Sequence, residues 1–154
     1  MTHDENMPST VINLKESEDI RDVVHRVVQS LAEGSIVGLP TESNYCFVAA
    51  ATCRAAVERA CALADDYQNE PRLTIAIKSC DEATDWVPDM RPLALRFARQ
   101  CWPGPLAMVL ADNHPDGLVQ QLPVSTQPHV LCDDRIRLRA PRHRILQDCM
   151  RLFA

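Results

Sequence analysis

The chain has 154 residues, 46% of them apolar and 24% charged, which suits one ordinary folded domain and excludes collagen-like, disordered and coiled-coil proteins. Its net charge of −5 argues against tight nucleic-acid binding by the surface as a whole. No apolar stretch approaches the roughly 18 residues of a membrane helix, and Asp4 and Glu5 stand where a signal peptide would be basic, so we predict a cytoplasmic protein with no membrane partner.

Strand and helix patterns alternate through the first half of the chain. Apolar residues recur at helical spacing from Ile20 to Leu31, with Ser17 as the predicted N-cap and Gly34 as the stop signal. A polar turn over 41–44 separates two apolar runs, which predicts two strands joined by that turn. In chain order the predicted elements are a strand over 10–14, a helix from Ser17 to Leu31, strands over 35–39 and 45–50, a helix from Thr52 to about Ala64, an acidic loop over 65–71, and a strand over 73–77.

The second half continues the alternation around a proline-rich corner, Trp102-Pro103-Gly104-Pro105. The predicted elements are a helix over 91–101, a strand over 106–111, a loop over 112–127, short strands over 129–132 and 135–138, and a last helix from Pro141 with Ile145, Leu146, Cys149, Met150 and Phe153 on its apolar face. There is no internal repeat or linker. The sequence therefore predicts a single domain over 1–154, of α/β (α+β) class, in which helices flank a sheet.

The seven cysteines indicate free, reduced thiols rather than a disulfide framework. Their number is odd, no CxxC occurs, and most have apolar neighbours, as in Ala60-Cys61-Ala62. No carboxylate or histidine pair has ligand spacing either, so we predict no metal site. The cysteines are Cys46, Cys53, Cys61, Cys80, Cys101, Cys132 and Cys149.

Positive charge is concentrated near the end of the chain. Between positions 135 and 151 there are six arginines, and Asp148 is the only acid. Guanidinium groups bind phosphate through paired N–H donors, so this segment is a candidate patch for RNA or phosphate. The alternative is a solvated strand face whose arginines pair with Asp133, Asp134 or other acids. The patch residues are Arg135, Arg137, Arg142 and Arg144.

Three motifs in register resemble one known family. They are Pro40-Thr41-Glu42-Ser43-Asn44-Tyr45, then Cys101-Trp102-Pro103-Gly104-Pro105-Leu106-Ala107-Met108-Val109-Leu110, then Leu138-Arg139-Ala140-Pro141-Arg142-His143. This order resembles the YrdC/YciO-like family of threonylcarbamoyl-AMP synthases over about residues 20–152. The family pattern is PTET-x-YG, K-x-R, WPGPLT, VR-x-P-x-H and a terminal S-x-N.

The resemblance implies a twisted open sheet with a concave, positively charged pocket. In that pocket the family condenses L-threonine, bicarbonate and ATP, with magnesium, to an intermediate of tRNA modification. Thr41 and Tyr45 would line the threonine and nucleotide pocket, Glu42 would support the turn, and Arg139 would lie near substrate groups. The alternatives are an ordinary turn for Thr41 and Glu42 and half-buried strand packing for Tyr45.

Several positions depart from the family pattern. Asp65 and Asp66 stand where the K-x-R cations would lie, Cys46 replaces a glycine, Ala107 replaces a threonine, and no S-x-N occurs before Ala154. A charge-assisted contact contributes roughly 1.5–3 kcal/mol, so losing two would weaken nucleotide binding by about 10²–10⁴-fold. Arg72 and Lys78 are the nearest cations that could substitute.

These observations leave three hypotheses about function. The first is a degenerate, YrdC-like member that retains RNA or nucleotide binding. The second is an active threonylcarbamoyl-AMP synthase that uses ATP, L-threonine and bicarbonate. The third is a non-catalytic interaction module or homo-oligomer subunit whose open sheet edge pairs with a partner strand.

Overall fold

The computed structural model describes residues 9–64 and 69–153, which form a mixed α/β protein, as predicted. The helices in this part of the chain are α1 (Ile20–Ala32), α2 (Arg54–Leu63), α3 (Ala83–Trp86), α4 (Pro92–Cys101), α5 (Gln127–Val130) and α6 (Arg144–Leu152), with a 3₁₀ turn at Leu118–Gln121. The strands are β1 (Val37–Pro40), β2 (Tyr45–Val48), β3 (Ile75–Ala76), β4 (Ala107–Ala111), β5 (Leu131–Cys132) and β6 (Arg135–Arg139).

Helix α1 lies where the apolar periodicity predicted it, but its first residue differs. Asp19, not Ser17, is the N-cap, and its carboxylate accepts the backbone N–H of Arg21 at 2.8 Å. The Ser17 hydroxyl instead donates to the carbonyl of Asn13 at 2.9 Å, within a turn. The predicted strand over 10–14 is therefore wrong, because local hydrogen bonds around Asn13 favour a turn.

The strands of the described residues form two sheets. Strands β1 and β2 are an antiparallel hairpin in which Leu39 lies opposite Cys46. In the second sheet β6 is central: it pairs parallel with β3 and antiparallel with β4 and β5. Its Ile136 and Leu138 are fully buried, whereas the arginines that alternate with them are only partly buried. One strand thus carries an apolar face and a cationic face.

Two apolar clusters form the core. One lies under the second sheet and includes Ile136, Leu138 and Trp102. The other joins α1, α6 and β1 and includes Val24 and Leu146. The apolar periodicity of α1 and α6 predicts that these helices contribute buried residues to the core.

Gln147, on α6, connects that helix to two other segments. Its side-chain amide is buried and donates to the carbonyls of Pro141 at 2.6 Å and Lys78 at 3.1 Å. Buried amide groups need such acceptors, so these contacts fix α6 against the loop that precedes it and against the segment that follows β3.

Several element boundaries differ from the predicted ones. Helix α2 begins after Cys53 rather than Thr52, and α6 begins after His143 rather than at Pro141. Residues 127–130 are helical instead of forming part of a strand over 129–132, because Pro128 fits the first turn of a helix. Every helix in the described ranges is too short or too polar to cross a membrane.

Candidate functional site

The turn between β1 and β2 is closed by the hydroxyl of Thr41. This hydroxyl donates to the carbonyl of Asn44 at 2.7 Å and accepts the Asn44 backbone N–H at 3.1 Å. The backbone N–H of Thr41 also donates to the Asn44 carbonyl at 2.7 Å. Thr41, predicted to line a threonine pocket, therefore uses its hydroxyl inside the turn, as the alternative reading of this residue expected.

Arg139, at the end of β6, joins this turn to the second sheet. Its Nη2 donates to the carboxylate of Glu42 and, at 3.3 Å, to the hydroxyl of Ser43. The second oxygen of Glu42 accepts the backbone N–H of Arg142 at 2.8 Å. Two segments that are nearly one hundred positions apart in sequence thus share one carboxylate.

The carboxylate of Glu42 is well shielded from solvent, with 18% of the side chain exposed. Burial by itself raises its pKa, but the hydrogen bonds from Arg139 and from the backbone of Arg142 outweigh burial and hold the pKa below its ordinary value. Glu42 is therefore ionised at neutral pH. The sequence predicted that Glu42 supports the turn, and its contacts agree with that role.

One donor of Arg139 has no acceptor in the described part of the chain. The side chain is 20% exposed, and its Nε–H is buried without a hydrogen-bond partner. A buried guanidinium N–H is a strong donor, and carboxylate or phosphate oxygens are the acceptors that match its geometry. Solvent does not reach this atom, so an anion would contact it only if the surrounding side chains move.

Two exposed aromatic side chains follow the turn in β2. Tyr45 is 77% exposed and lies on the same face of β2 as Phe47, which is also exposed. The alternative that Tyr45 packs half-buried in its strand is therefore wrong. Sequence reasoning missed Phe47 and Ser43; the two-residue spacing from Tyr45 is the signal that places Phe47 on the same strand face.

Cys46 and Ala107, two of the departures from the family pattern, are neighbours of Arg139. Ala107 lies directly opposite Arg139 in the β4–β6 pairing, so no hydroxyl is present there. Burial raises the pKa of the Cys46 thiol, and the charges of Arg139 and Glu42 also act on it. Asp65 and Asp66 lie outside the described residues.

The two cations considered as substitutes for the K-x-R pair make contacts elsewhere. Arg72 donates to the carbonyl of Cys61 at 3.2 Å. The ammonium group of Lys78 lies 3.9 Å from the carboxylate of Glu82. Neither contact involves the turn between β1 and β2.

The predicted phosphate patch divides into two groups. On β6, Arg135 donates to the carbonyl of Asn69 at 2.6 Å and lies 3.5 Å from Asp133, and Arg137 pairs with Glu70. These pairings match the alternative of a strand face neutralised by acids.

The other group lies at the start of α6. Arg142 is exposed, and its Nε donates to the carbonyl of Pro103 at 3.2 Å. Arg144 is also exposed and lies 3.6 Å from Asp148. The structure thus brings Arg142 to the turn with Arg139, while Arg144 faces a groove between α1 and α6.

The proline-rich corner holds the segment that carries Arg139 in place. Trp102 is buried and its indole N–H donates to the carbonyl of Leu106 at 2.6 Å. The backbone N–H of Gly104 donates to the carbonyl of Ala140 at 2.7 Å. These contacts indicate a structural role for the corner.

No metal cluster accompanies these residues. Within residues 9–64 and 69–153, no group of three or more His, Cys, Asp or Glu side chains is arranged to hold a metal ion. All seven cysteines are free thiols, and Cys61 and Cys149 are buried. Burial, together with the charge of Asp148, raises the pKa of Cys149 to about 11, so this thiol is protonated at neutral pH.

Comparison with protein families gives a match over most of the chain. The family model described as "Sua5_yciO_yrdC: Telomere recombination" matches residues 29–153. No curated protein matches the sequence.

Among solved structures, a double-substitution variant of P. abyssi Sua5 aligns with a TM-score of 0.74 and 25% identity, over 95% of this chain and 39% of that one. P. abyssi Sua5 complexed with L-threonine aligns with a TM-score of 0.68 and 25% identity, over 90% of this chain and 37% of that one. E. coli YciO, at 18% identity, shares the fold with a TM-score of 0.72, over 89% of this chain and 61% of that one. The chain thus spans about two fifths of the length of Sua5 and 61% of that of YciO.

Proposed function

The chain belongs to the Sua5, YciO and YrdC family, and from this premise we propose that it is a degenerate relative of the threonylcarbamoyl-AMP synthases that retains binding of L-threonine and nucleotide at Arg139. The observation that carries the proposal is the buried Nε–H of Arg139, a guanidinium donor with no acceptor in the described residues. A ligand carboxylate or phosphate would supply that acceptor once the side chains that enclose the donor move aside.

The surroundings of Arg139 suit a small polar ligand. Glu42 and Ser43 fix one side of the guanidinium group, so the remaining donor keeps a defined direction. Tyr45, the residue that follows the turn, has an exposed ring, and its neighbour Cys46 is the residue on which the charge of Arg139 acts. The related Sua5 of P. abyssi has been solved in complex with L-threonine, which makes threonine the first amino acid to test.

Loss of catalysis follows from the residues that replace family positions. Ala107, opposite Arg139, has no hydroxyl to hold a substrate, and Cys46 places a side chain where the family has glycine. Two acids replace the cations that would neutralise a triphosphate. Binding is therefore retained in this proposal, but transfer of the nucleotide is not.

The test measures binding and turnover separately. Calorimetric titration with L-threonine, with Mg-ATP and with both should give saturable heats, and Arg139→Ala should weaken the binding about 10–150-fold through loss of a charge-assisted contact. The affinity of Arg139→Lys, which keeps the charge but not the paired N–H donors, should lie between those of the wild type and Arg139→Ala. Arg54→Ala, at an exposed arginine on α2, is the control and should bind as the wild type does.

Turnover is measured as pyrophosphate released from ATP in the presence of L-threonine and bicarbonate. We expect no release above the protein-free background. Threonine-dependent release would identify an active synthase and overturn the assignment of a degenerate member. Absence of any heat in all three titrations, with L-threonine, with Mg-ATP and with both, would overturn the binding proposal.

A second candidate function is RNA binding, favoured by the exposed guanidinium groups of Arg142 and Arg144. Arg135 and Arg137 would contribute less because acids already neutralise them. If phosphate contacts carry the binding, the affinity for tRNA should fall linearly with the logarithm of salt concentration. A flat salt response, or unchanged affinity in Arg142→Ala/Arg144→Ala, would contradict this candidate.

A further inference from the structure

A groove of about 360 Å³ lies between α1 and α6, separate from the turn that holds Arg139. Its floor is apolar and is formed by Ile20 and Val24 of α1 and by Leu152 of α6. Leu152 is 51% exposed, so part of this apolar floor faces solvent. Val24 is buried, so the exposed apolar surface consists of Leu152 and part of Ile20, and a polar border around such a surface is found at protein interaction sites.

The border of the groove is cationic. Arg21 lies on the α1 side, and Arg144 and Arg151 lie on the α6 side. Among the described residues, Asp148 is the one carboxylate that lines the groove, and it lies 3.6 Å from Arg144 and 3.0 Å from Arg151. The lining therefore carries an excess of positive charge.

The ion pairs that these arginines make are weak enough for a partner's carboxylate to replace the present one. Arg21 lies 3.8 Å from Asp19, and the side chains of all three arginines are largely exposed. Exposed pairs of this kind contribute little, about 0–1 kcal/mol, because water screens them and the side chains are mobile. A carboxylate from a partner could replace or add to them at little cost.

We propose that the groove between α1 and α6 docks an acidic amphipathic helix of a partner protein. A third helix fits naturally against two packed helices, at interaxial distances of about 8–10 Å. Its apolar side chains, at helical spacing, would cover Ile20 and Leu152, and its flanking carboxylates would meet the arginines. A nucleic acid would satisfy the arginines but would leave the apolar floor uncovered.

The test uses a fluorescein-labelled synthetic helix of about 16 residues, long enough to be partly helical alone, with leucines at i, i+3, i+4 and i+7 and glutamates between them. Polarisation is measured against the full chain. Two matched peptides carry lysine for glutamate or serine for leucine. We expect the acidic peptide to bind at least about 10-fold more tightly than either matched peptide, since both charge and apolar contact contribute.

Variants of the groove then locate the binding. Arg21→Glu reverses one charge of the border while placing an acid in the first turn of α1, where the helix dipole favours it. Leu152→Ser removes part of the floor at a half-exposed site. Each should weaken the acidic peptide about 5–10-fold or more, whereas Arg96→Glu, the same charge reversal on α4, should have no effect.

Three results would overturn the proposal. The first is equal binding of the acidic and lysine peptides, and the second is equal affinity of Arg21→Glu and Arg96→Glu. The third is a dimer in sedimentation equilibrium that Leu152→Ser dissociates, because the groove would then be occupied by a second copy of this chain. None of these results depends on whether Arg139 binds L-threonine or nucleotide.

Discussion

Glu42 is the residue on which the polar contacts of the hairpin turn converge. We expect Glu42→Ala to lower the free energy of unfolding by about 1–3 kcal/mol, because Nη2 of Arg139 and the backbone N–H of Arg142 both lose a charged acceptor. Urea denaturation measures this loss. Glu58→Ala, which removes an exposed pair with Arg54, is the control and should change stability by about 0.5 kcal/mol or less. Equal losses in the two variants would contradict the role of Glu42.

The pKa of Asp112 is shifted in the opposite direction from that of Glu42. It is buried, and neither carboxylate oxygen has a hydrogen-bond partner in the described residues. Burial raises its pKa above the ordinary value of 3.8, by more than the nearby backbone and ring of His114 lower it. The folded state therefore favours the protonated carboxyl, and this contribution to stability is present below about pH 3.8 and is lost as the pH rises through the raised pKa.

We accordingly expect Asp112→Asn to raise the melting temperature at pH 7, because the amide of nearly equal size carries no charge into the buried site. The gain should shrink as the pH falls through the raised pKa, because a growing fraction of wild-type Asp112 is then protonated in the folded protein. Thermal unfolding followed by circular dichroism across this range measures both effects. A lower melting temperature at pH 7 would mean that the carboxylate makes stabilising contacts in solution.

At the residue scale, sequence reasoning identified positions better than it identified contacts. The resemblance pointed to Thr41, Tyr45 and Arg139, all of which lie at or beside the turn. Their partners could not be predicted, because Glu42 and Arg139 are 97 positions apart and no local pattern relates them. Whether these residues bind the predicted ligands remains a prediction.

Among the four glycines of the chain, Gly104, in the corner formed by residues 102–105, has the least room for a side chain. A Cβ atom added at Gly104 would lie 2.3 Å from the backbone carbonyl oxygen of Cys101, so the backbone itself would have to move. We expect Gly104→Ala to destabilise the protein by about 1–3 kcal/mol in urea denaturation. At Gly38 the nearest atom, on the Phe47 ring, is 4.0 Å away, so Gly38→Ala should change stability by less than about 1 kcal/mol.

The elements that sequence reasoning predicted well are those defined by many residues. Helix α1 was located by an apolar pattern that repeats over three turns, and β4 by a continuous apolar run between a proline corner and a loop. The short segments failed. Residues 10–13 form no strand and lead into a turn over 14–16 to which Asn13 hydrogen-bonds, and residues 127–130 are helical, with Pro128 in the first turn. In such segments a few local hydrogen bonds outweigh composition.

At the scale of the whole molecule, the prediction of a single domain is testable by cooperativity. Both tryptophans lie in or against the cluster under the second sheet, so their fluorescence reports unfolding there. Leu146 is buried in the other cluster. We expect Leu146→Ala to lower the free energy of unfolding by about 2–5 kcal/mol and to shift the fluorescence and circular dichroism transitions together. A fluorescence midpoint that stays at the wild-type value would indicate two independent folding units.

At the scale of the whole molecule, net charge says little about which surfaces could bind an anionic partner. The overall charge of −5 includes acids that already pair with the three arginines of β6. What remains for partners is local: the Nε–H of Arg139 at one site and the exposed arginines beside α1 and α6 at another. Binding is therefore expected to depend on these local groups.

The alternation along β6 also limits how this protein can change over evolutionary time. Inserting or deleting one residue within Arg135–Arg139 would rotate the rest of the strand by half a turn, so guanidinium groups would enter the apolar cluster and leucine or isoleucine would face the acids. A point substitution at one of these positions changes the contacts of that side chain and leaves the alternation of the strand intact. We therefore expect natural relatives of this chain to vary in side chains along the strand while keeping its length between Asp134 and Ala140 unchanged.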